Sequence, residues 1–348
     1  MQIVTKVKFN KIKEIGVGQG LNSRVWLARD PQLDGELAVK EIDKATFWNP
    51  NCFAEAQALY ASDHPNIVRV QWAGEEGNYA YIAMPFYKNG SLLDKLASGP
   101  MKLSSVLEMA QDVLLGLAHI HSKNLIHLDI KPSNIFLDHK RRALIADFGQ
   151  CRKISASGVV TAPAMYCRTM PPEFLKSGCV ASVSDIYHVG VLLYRVLNGE
   201  ADWNRQFAKY PDDATLVDAI KRGKFPDRNR FLPHVPKRLR TAIRKALNVV
   251  PGDRFVSANE FGLELGRIAP SNDWNVSILA TGEMVWRCSP VGCADIVVEL
   301  KKKAGGWVTE VHTDNAGSRR AKGKTSLWGT FSSQDAALVS LKKVFESL

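Results

Sequence analysis

Two polar motifs, each directly after a short apolar run, constrain the fold of this chain most strongly. The first is His127-Leu128-Asp129-Ile130-Lys131-Pro132-Ser133-Asn134, which follows Leu125-Ile126. The second is Asp147-Phe148-Gly149, which follows the apolar run 143–146. That run is typical of a short buried strand bounded by polar residues. The fold therefore has to bring two acids, eighteen residues apart in sequence, into one cleft.

The side chains of these motifs suit phosphoryl transfer. Asp129 can accept a hydroxyl proton, Lys131 can neutralise a transferring phosphoryl group, and Asn134 and Asp147 offer oxygens to a hard cation. Phosphoryl transfer depends mainly on positioning and on compensation of charge. Carboxylate and amide oxygens are also the ligands that Mg²⁺ prefers. The motifs together predict a magnesium-dependent site for phosphoryl transfer.

Alternating apolar and polar residues predict strands in segment 1–45, with a glycine cluster, Gly16-Val17-Gly18-Gln19-Gly20, between two of them. Small residues such as Gly18, Gly20 and Ser23 allow the backbone to close over phosphates, although a glycine-rich hairpin turn explains them equally well. A dinucleotide-binding site is disfavoured because a strand, rather than a helix, follows the cluster.

A lysine lies inside the next apolar strand. Lys40 belongs to the predicted strand 36–42, where it can be an outward-facing residue, and Glu55 belongs to a predicted helix over 50–62. Glu55 can reach Lys40 to form an ion pair. An isolated exposed pair of this kind contributes only about 0–1 kcal/mol to stability.

The rest of the chain divides into three regions by periodicity. Segments 67–74 and 79–84 are predicted strands, and from Ser91 onward the pattern is helical, notably over 106–121 and 185–197. After Pro270 the sequence predicts a separate small α+β domain, which ends in an amphipathic helix over 334–348. Its predicted strands are 274–279, 284–288, 295–302, 307–313 and 326–331.

Taken in order, these motifs resemble those of the eukaryotic-type protein kinase family. The matching set comprises Gly18-x-Gly20, Ala38-Val39-Lys40, Glu55, the His127–Asn134 motif, Asp147-Phe148-Gly149 and Pro171-Pro172-Glu173. The resemblance implies a bilobal α+β protein-kinase fold over residues 8–269. Its β-rich N-lobe would span about 8–84, its hinge 85–90 and its helical C-lobe 91–269, and the small α+β accessory domain would follow at 271–348.

Later segments extend the resemblance. Ser184–Gly190 resembles the family's αF motif, whose aspartate, here Asp185, supports the catalytic loop. Pro251-Gly252-Asp253-Arg254-Phe255 resembles the motif whose arginine pairs with the glutamate of the Pro-Pro-Glu triplet, here Glu173.

The resemblance also implies ATP and Mg²⁺ as cofactors and assigns a role to each matched residue. Lys40, held by Glu55, would bind the α- and β-phosphates, Asp129 would be the catalytic base, and Lys131 would contact the γ-phosphate. Asn134 and Asp147 would hold Mg²⁺. The nucleotide would be lined by Gly18, Gly20, Ser23, Val25, Ala38, Lys40, the gatekeeper Met84 and the hinge residues Pro85 and Tyr87.

The sequence departs from the family's pattern in the catalytic loop and the activation segment. Leu128 replaces an arginine that a phosphate in the activation loop normally neutralises, so we expect activity without activation-loop phosphorylation. In the activation segment, Tyr166 and Thr169 stand where the family often has threonine and tyrosine, which leaves the choice of acceptor open.

Lys131 favours serine/threonine acceptors in protein substrates. The arginine-free catalytic loop also resembles that of Wee-type kinases, which can phosphorylate tyrosine. A pseudokinase scaffold is disfavoured because Lys40, Asp129 and Asp147 are all present. The motifs of the C-lobe argue against a phosphotransferase that acts on small molecules.

A formal net charge of +11 is concentrated in two places. Segment 221–245 carries ten basic residues and one acid, and the loop 319–324 carries four cations. Each can be a solvated surface or a site for an acidic or nucleic-acid partner. The predicted strands and helix around the loop are faintly similar to double-stranded-RNA-binding domains, whose first helix is missing here. We expect the C-terminal domain to have a targeting or regulatory role.

Six scattered cysteines without a CxxC pair indicate reduced thiols, so we expect a cytoplasmic protein, with a nuclear one as the alternative. No apolar run approaches the roughly 20 residues that span a bilayer, and residues 1–16 lack the pattern of a signal peptide. We therefore expect neither a membrane partner nor secretion.

Overall fold

The computed structural model describes residues 7–16, 23–45, 53–155, 158–161, 167–270, 272–315, 318–321 and 328–348. The described residues form an N-terminal β-lobe, a helical lobe and a C-terminal antiparallel sheet. The predicted bilobal α+β protein-kinase fold with an additional C-terminal α+β region is thus confirmed.

The N-lobe is a five-stranded antiparallel sheet with one helix against it. Strand order is β1-β2-β3-β5-β4. The elements are β1 (Asn10–Ile15), β2 (Ser23–Asp30), β3 (Gly35–Asp43), α1 (Ala54–Ala61), β4 (Trp72–Glu76) and β5 (Tyr79–Pro85).

The alternation of side chains along β3 directs Lys40 into the cleft. Leu37 and Val39 are buried in a cluster on one face, and Ile42 packs with Ala56 of α1 on the other. Successive side chains of a strand point to opposite faces, so Lys40 shares the face of Ile42 and points towards α1.

The C-lobe is built around two long helices and carries its catalytic segments on short strands. Its helices are α2 (Leu92–Leu96), α3 (Leu103–Ser122), α4 (Pro172–Ser177), α5 (Ser182–Asn198), α6 (Glu200–Phe207), α7 (Asp213–Lys221), α8 (Lys237–Ala246) and α9 (Ala258–Gly266). Its strands are β6 (Leu125–Ile126), β7 (Ile135–Leu137), β8 (Ala143–Ile145), β9 (Arg152–Lys153), β10 (Val160–Thr161) and β11 (Cys179–Val180), which pair as β6-β9, β7-β8 and β10-β11.

Helix α3 alone, among the described residues, is long and apolar enough to cross a membrane by length and composition. Its apolar side chains lie in the core of the C-lobe, where Val106, Val113 and Leu117 are fully buried. Core helices of water-soluble domains often have this composition.

The C-terminal region is an antiparallel sheet covered by one helix. Strands run in the order β12-β13-β14-β15-β16. Strand β16 pairs with residues 312–315 of β15, and β17 pairs with residues 307–309 of the same strand. The elements are β12 (Asn275–Ile278), β13 (Met284–Cys288), β14 (Asp295–Lys303), β15 (Gly306–Asn315), β16 (Ser318–Ala321), β17 (Gly329–Phe331) and α10 (Gln334–Ser347).

This sheet does not have a core of its own. Buried side chains of β13, β14 and α10, such as Trp286, Val298 and Leu341, belong to the same hydrophobic cluster as α3 and α5. The sequence predicts a separate domain after Pro270, whereas the structure joins its buried face to the C-lobe. The domain limits at 269 and 271 remain predictions.

One predicted strand is placed differently in the structure. The sequence predicts a strand over 67–74, but β4 begins at Trp72. The Val68 N–H donates to the Ile145 carbonyl of β8 (2.9 Å), and the Gln71 N–H donates to the Ala83 carbonyl of β5 (2.8 Å). The segment therefore crosses from the C-lobe to the N-lobe instead of forming one ladder. Strand β16 was not predicted.

The structure describes the side chains of four of the six cysteines. Cys151, Cys179, Cys288 and Cys293 are free thiols, as the sequence predicts. Cys288 and Cys293 are close in sequence but are not bonded to each other.

Candidate active site

The catalytic loop between β6 and β7 is held by one buried carboxylate of α5. Asp185 accepts hydrogen bonds from the backbone N–H of His127 (2.9 Å) and of Leu128 (2.8 Å), and the Nε2 of His121 lies 2.8 Å from its Oδ2. Burial alone would raise the pKa of Asp185, but the hydrogen bond from His121 and the nearby ring of His188, whose Nδ1 lies 3.7 Å from Oδ1, hold it far below its usual value. The carboxylate stays charged and fixes the backbone that carries Asp129.

Asp129 lies at the centre of a small polar network. The Nζ of Lys131 donates to its Oδ2 (2.7 Å), and the Nδ2 of Asn134 donates to the same oxygen (2.8 Å) and to the backbone carbonyl of Asp129 (2.9 Å). These bonds orient the carboxylate towards the cleft. An aspartate held in this way can accept a proton from a hydroxyl group placed beside it.

Lys40 joins the two lobes by binding two carboxylates. Its Nζ lies 2.6 Å from Glu55 Oε2 on α1 and 3.2 Å from Asp147 Oδ1 after β8. Burial would lower the pKa of Lys40, but the charges of Glu55 and Asp147 outweigh it and raise this pKa above its usual value. The ion pair between Lys40 and Glu55 that the sequence suggests is present, and it is largely buried.

The charge of Lys40 also lowers the pKa of Asp147, although burial opposes this effect. Asp147 adopts a left-handed backbone conformation, with φ of 61°. Gly149 leaves room for this arrangement, because a Cβ there would lie 3.3 Å from Asp147 Oδ1. The ring of the buried Phe148 meets the edge of His127 with centroids 4.9 Å apart, which anchors the segment to the catalytic loop.

The residues predicted to line a nucleotide lie on β2, β3 and β5, where the register brings them together. Val25 lies opposite Lys40 in the β2–β3 ladder, Ala38 lies opposite Met84 in the β3–β5 ladder, and Pro85 is the last residue of β5. Ser23 is the first residue of β2. Gly18 and Gly20 lie outside the described residues.

An aromatic residue that sequence reasoning missed lies beneath this group. Phe136 of β7 belongs to a cluster with Met84 and Tyr87, and its ring centroid is 6.0 Å from that of Tyr87. A planar apolar floor of this kind suits a purine ring. The only sequence signal was an apolar residue two positions after Asn134, which any buried strand would also show.

The available donors fit a magnesium ion. Asn134 donates through its Nδ2 to Asp129, and its Oδ1, which accepts a hydrogen bond from the Ser133 hydroxyl (3.2 Å), has a second lone pair for a metal ion, while Asp147 contributes a carboxylate. Among the described residues, no group of three or more His, Cys, Asp or Glu side chains could hold a metal by itself. Magnesium typically needs only one or two carboxylates, because phosphate oxygens and water complete its coordination.

The end of the activation segment is fixed by a buried ion pair. Arg254 binds both oxygens of Glu173, with Nη1–Oε1 of 2.8 Å and Nη2–Oε2 of 2.6 Å, and Ser184 Oγ donates to the same carboxylate (2.7 Å). This is the pairing that the resemblance implies, and it joins α4 to α5 and to the segment before α9.

Leu128 is buried in an apolar cluster. It adopts a left-handed conformation, with φ of 67°, and lies in a cluster with Ile126 and Val180, to which Ile154 and Val160 of the activation segment also belong. Tyr166 lies outside the described residues, and Thr169 is buried beside α4.

Comparison with known proteins gives a consistent result. The model of the protein kinase domain family matches residues 9–261. Serine/threonine-protein kinase PrkC of Bacillus subtilis is 27% identical over 322 residues, which are 90% of this chain and 48% of PrkC. Serine/threonine-protein kinase PknL of Mycobacterium tuberculosis is 29% identical over 265 residues, 73% of this chain and 64% of PknL. The chain thus matches about half of PrkC and less than two thirds of PknL.

Proposed function

The chain belongs to the protein kinase family, and from this premise we propose that it transfers the γ-phosphoryl group of ATP to serine or threonine hydroxyls of protein substrates. The bridge from Lys40 to both Glu55 and Asp147 carries the proposal. A charge-paired lysine that contacts the α1 glutamate and the Asp-Phe-Gly aspartate together is the arrangement required for phosphoryl transfer.

In the proposed mechanism each residue of the cleft has one task. Lys40 binds phosphate oxygens, and Glu55 holds its ammonium group in place. Asp129 orients the acceptor hydroxyl and takes its proton, while Lys131, 2.7 Å from Asp129, places a positive charge beside the transferring group. Asn134 and Asp147 hold Mg²⁺, which when bound supplies charge that offsets the charge developing on the phosphoryl group.

The preference for serine and threonine is supported by Lys131 and by the relatives. Lys131 contacts the carboxylate of Asp129, and PrkC and PknL are both named as serine/threonine-protein kinases. Phosphoamino-acid analysis of the autophosphorylated chain tests this preference. Phosphotyrosine as the main product would instead support the Wee-like alternative.

We also propose that the enzyme is active without phosphorylation of its activation segment. Where an arginine would need a phosphate to neutralise it, Leu128 lies in one apolar cluster with Ile154 and Val160 of the segment itself. Apolar burial, rather than a phosphate–arginine pair, then holds the segment in place. Phosphatase-treated enzyme should retain most of its activity, and a loss of more than about 10-fold would contradict this proposal.

Transfer of labelled phosphate from ATP to a generic protein mixture tests the main proposal. Asp129→Asn should lower turnover at least about 10²-fold, the usual scale for loss of a general base. Asp138→Asn is unsuitable as a control because Asp138 organises the turn after β7, but Asp63→Asn changes an exposed acid and should leave activity unchanged. Equal activity in the wild type and Asp129→Asn would indicate a non-catalytic scaffold or a contaminating kinase.

The C-terminal sheet is proposed to have a targeting or regulatory role, because its buried face packs into the core of the C-lobe and none of the candidate active-site residues belongs to it. The side chains of Arg319 and Arg320, like the rest of the predicted basic loop to Lys324, lie outside the described residues. Charge reversal at Arg319 and Arg320 should weaken binding of an acidic partner in a salt-dependent way. Unchanged affinity would remove the loop from the proposal.

A further inference from the structure

The basic segment 221–245 is less uniform than its sequence indicates. Several of its cations are neutralised by acids on neighbouring helices, as the four closest pairs show. These pairs are Arg222–Asp218 (2.9 Å), Arg230–Asp202 (2.8 Å), Arg238–Glu264 (2.8 Å) and Lys245–Glu260 (3.0 Å). The remaining positive charge is therefore concentrated at a few positions and does not form a continuous basic strip.

Three of the remaining cations surround one cavity. The cavity has a volume of about 560 Å³ and is lined by Lys224, Arg228 and Arg244 together with the amides of Asn229 and Asn248. Asp227 also lines it, and its carboxylate accepts a hydrogen bond from the Asn229 N–H (3.0 Å). Three cations and one acid give the cavity a net positive charge. It shares no residue with the candidate active site, so this inference does not rest on the proposed function.

Arg228 is held in an electrostatically costly position at the wall of this cavity. Its Nε and Nη2 are buried and make no hydrogen bond to the described residues. Burial lowers the pKa of this guanidinium. Its Nη1 approaches Gly223 so closely that a Cβ there would lie 2.7 Å away. Buried donors without partners cost about 1–3 kcal/mol each, and most native structures avoid them.

Arg244 and two further cations extend the positive region to the C-terminal helix. The Nε of Arg244 donates to the backbone carbonyl of Arg228 (2.9 Å), and both residues line the cavity. On α10, burial and the charges of Arg240 and Arg244 lower the pKa of Lys342. Glu346, 3.7 Å from Arg240, offsets part of this repulsion. Like charges have thus been brought together where the C-lobe meets α10.

We propose that this cavity binds a phosphate monoester. Guanidinium groups match phosphate oxygens in geometry, and the Asn229 and Asn248 amides can donate to the oxygens that remain. An anion here would offset the positive charge that Lys224, Arg228 and Arg244 place around the cavity. The cavity is a single concave site, and many cations around it are already neutralised by acids. This arrangement suits a compact dianion, whereas a nucleic-acid backbone needs an extended row of cations that are not neutralised.

Titration calorimetry of the full chain with inorganic phosphate tests the proposal. We expect saturable binding to the wild type, weakened at least about 10-fold in Arg244→Gln and in Lys224→Gln, since each removes a charge-assisted contact. Lys224 is exposed, so Lys224→Gln should fold even if Arg244→Gln does not. Arg222→Gln is the matched control, because Arg222 belongs to the same segment, is paired with Asp218 and does not line the cavity.

A phosphothreonine peptide and its unphosphorylated form then distinguish the two sources of a monoester. If the phosphopeptide binds more tightly than inorganic phosphate, the site is assigned to a phosphorylated polypeptide. If inorganic phosphate binds and the phosphopeptide does not, the site is assigned to a small phosphate ester. The proposal is overturned if the wild type does not bind phosphate, if Lys224→Gln and Arg244→Gln bind as well as Arg222→Gln does, or if only a single-stranded oligonucleotide binds.

Discussion

The catalytic loop and the seam between the C-lobe and the C-terminal sheet are both buried, yet they are held together by different physics. Charged groups hold the catalytic loop in place: Asp185 binds its backbone, and Arg254 binds Glu173 nearby. The seam is mainly aromatic: His234 of the C-lobe lies against Phe345 of α10 with ring centroids 6.1 Å apart, and Phe345 packs in turn against Trp286 of β13 (5.5 Å). One region fixes geometry through directional bonds, and the other contributes buried apolar area.

This difference predicts how each region responds to mutation. Buried charges are costly to desolvate, so a network of them stabilises little overall but specifies one arrangement of its members. Aromatic burial is non-directional and contributes mainly free energy of folding. Changes in the catalytic region should therefore reduce turnover, and changes in the seam should reduce stability.

The largest expected effect is on the seam. Trp286→Ala should lower the free energy of unfolding by about 3–5 kcal/mol, because it leaves a large cavity next to Phe345 and removes the donor to His234 Nδ1 (3.1 Å). Urea denaturation measures the loss. Trp328→Ala in the same region is the matched control, since Trp328 is 40% exposed, and it should cost much less.

Turnover of the folded Trp286→Ala protein at low temperature should stay within about 2-fold of wild type. A large loss of turnover with an unchanged free energy of unfolding would show that the seam controls the cleft directly, and the comparison between the two regions would fail.

The converse experiment changes the cleft. Glu55→Gln should lower turnover about 10²-fold, because Lys40 loses the partner that orients it and small misplacements cost that much. The free energy of unfolding should change little, since Lys40 keeps its contact with Asp147. Glu75→Gln, which alters an exposed pair with Lys44 in the same lobe, is the control. Equal turnover in both variants would contradict the proposed role of Glu55.

Sequence predicted the fold and the cleft well where local periodicity and motif spacing carry the information. The sequence correctly predicts the strand that carries Lys40 and the helix that carries Glu55, and helical periodicity finds α3 and α5 with only their ends misplaced. Periodicity alone allows an outward-facing Lys40, whereas its side chain is largely buried beside Glu55. These features depend on residues near in sequence, so a pattern can report them.

Sequence failed where contacts join distant segments. Residues 67–71 look like a strand because Ile67, Val68 and Val70 are β-branched, but the hydrogen bonds of this segment go to two different lobes. The contact of Trp286 with His234 and the floor formed by Phe136 leave no local signal, since an apolar residue in a strand is common in any core. The sequence likewise does not show which cations of 221–245 are neutralised, because most of the acids that pair with them lie in other segments of the chain.

Acid pH should reduce the stability of the seam, with an intermediate effect. Burial lowers the pKa of His234 to about 3, although the charge of Asp273 opposes it. Between the ordinary histidine pKa of about 6.5 and this value, the unfolded chain binds a proton that the folded chain does not. Stability should therefore fall by up to about 1.4 kcal/mol per pH unit as pH decreases through this range.

Asp185 should respond only at lower pH. Although burial opposes it, hydrogen bonds lower the pKa of Asp185 in the folded protein, so its stabilisation is complete above the ordinary aspartate pKa of about 3.9 and is lost only below it. His234→Gln should flatten the stability profile between pH 7 and 5, measured by urea denaturation. An equally steep profile in this variant would show that other groups cause the pH dependence.

The smallest expected effect concerns Asp273, which lies where the chain leaves the C-lobe and enters the sheet. Its carboxylate accepts hydrogen bonds from the Ser104 N–H (3.1 Å) and the Ser104 hydroxyl (2.7 Å) in the first turn of α3. Because free N–H groups at a helix start are stabilised by an acceptor and by negative charge, Asp273→Ala should cost about 1 kcal/mol. Turnover should not change, since the contact belongs to the seam rather than to the catalytic loop.

Asp335→Ala, which removes an exposed acid 3.4 Å from Arg230 in the same region, is the matched control and should cost less. Asp273 is one of several polar contacts across a mainly aromatic seam, together with Trp286–His234 and Arg230–Asp335. A loss well above 2 kcal/mol would mean that such directional bonds, rather than apolar burial, hold the seam together.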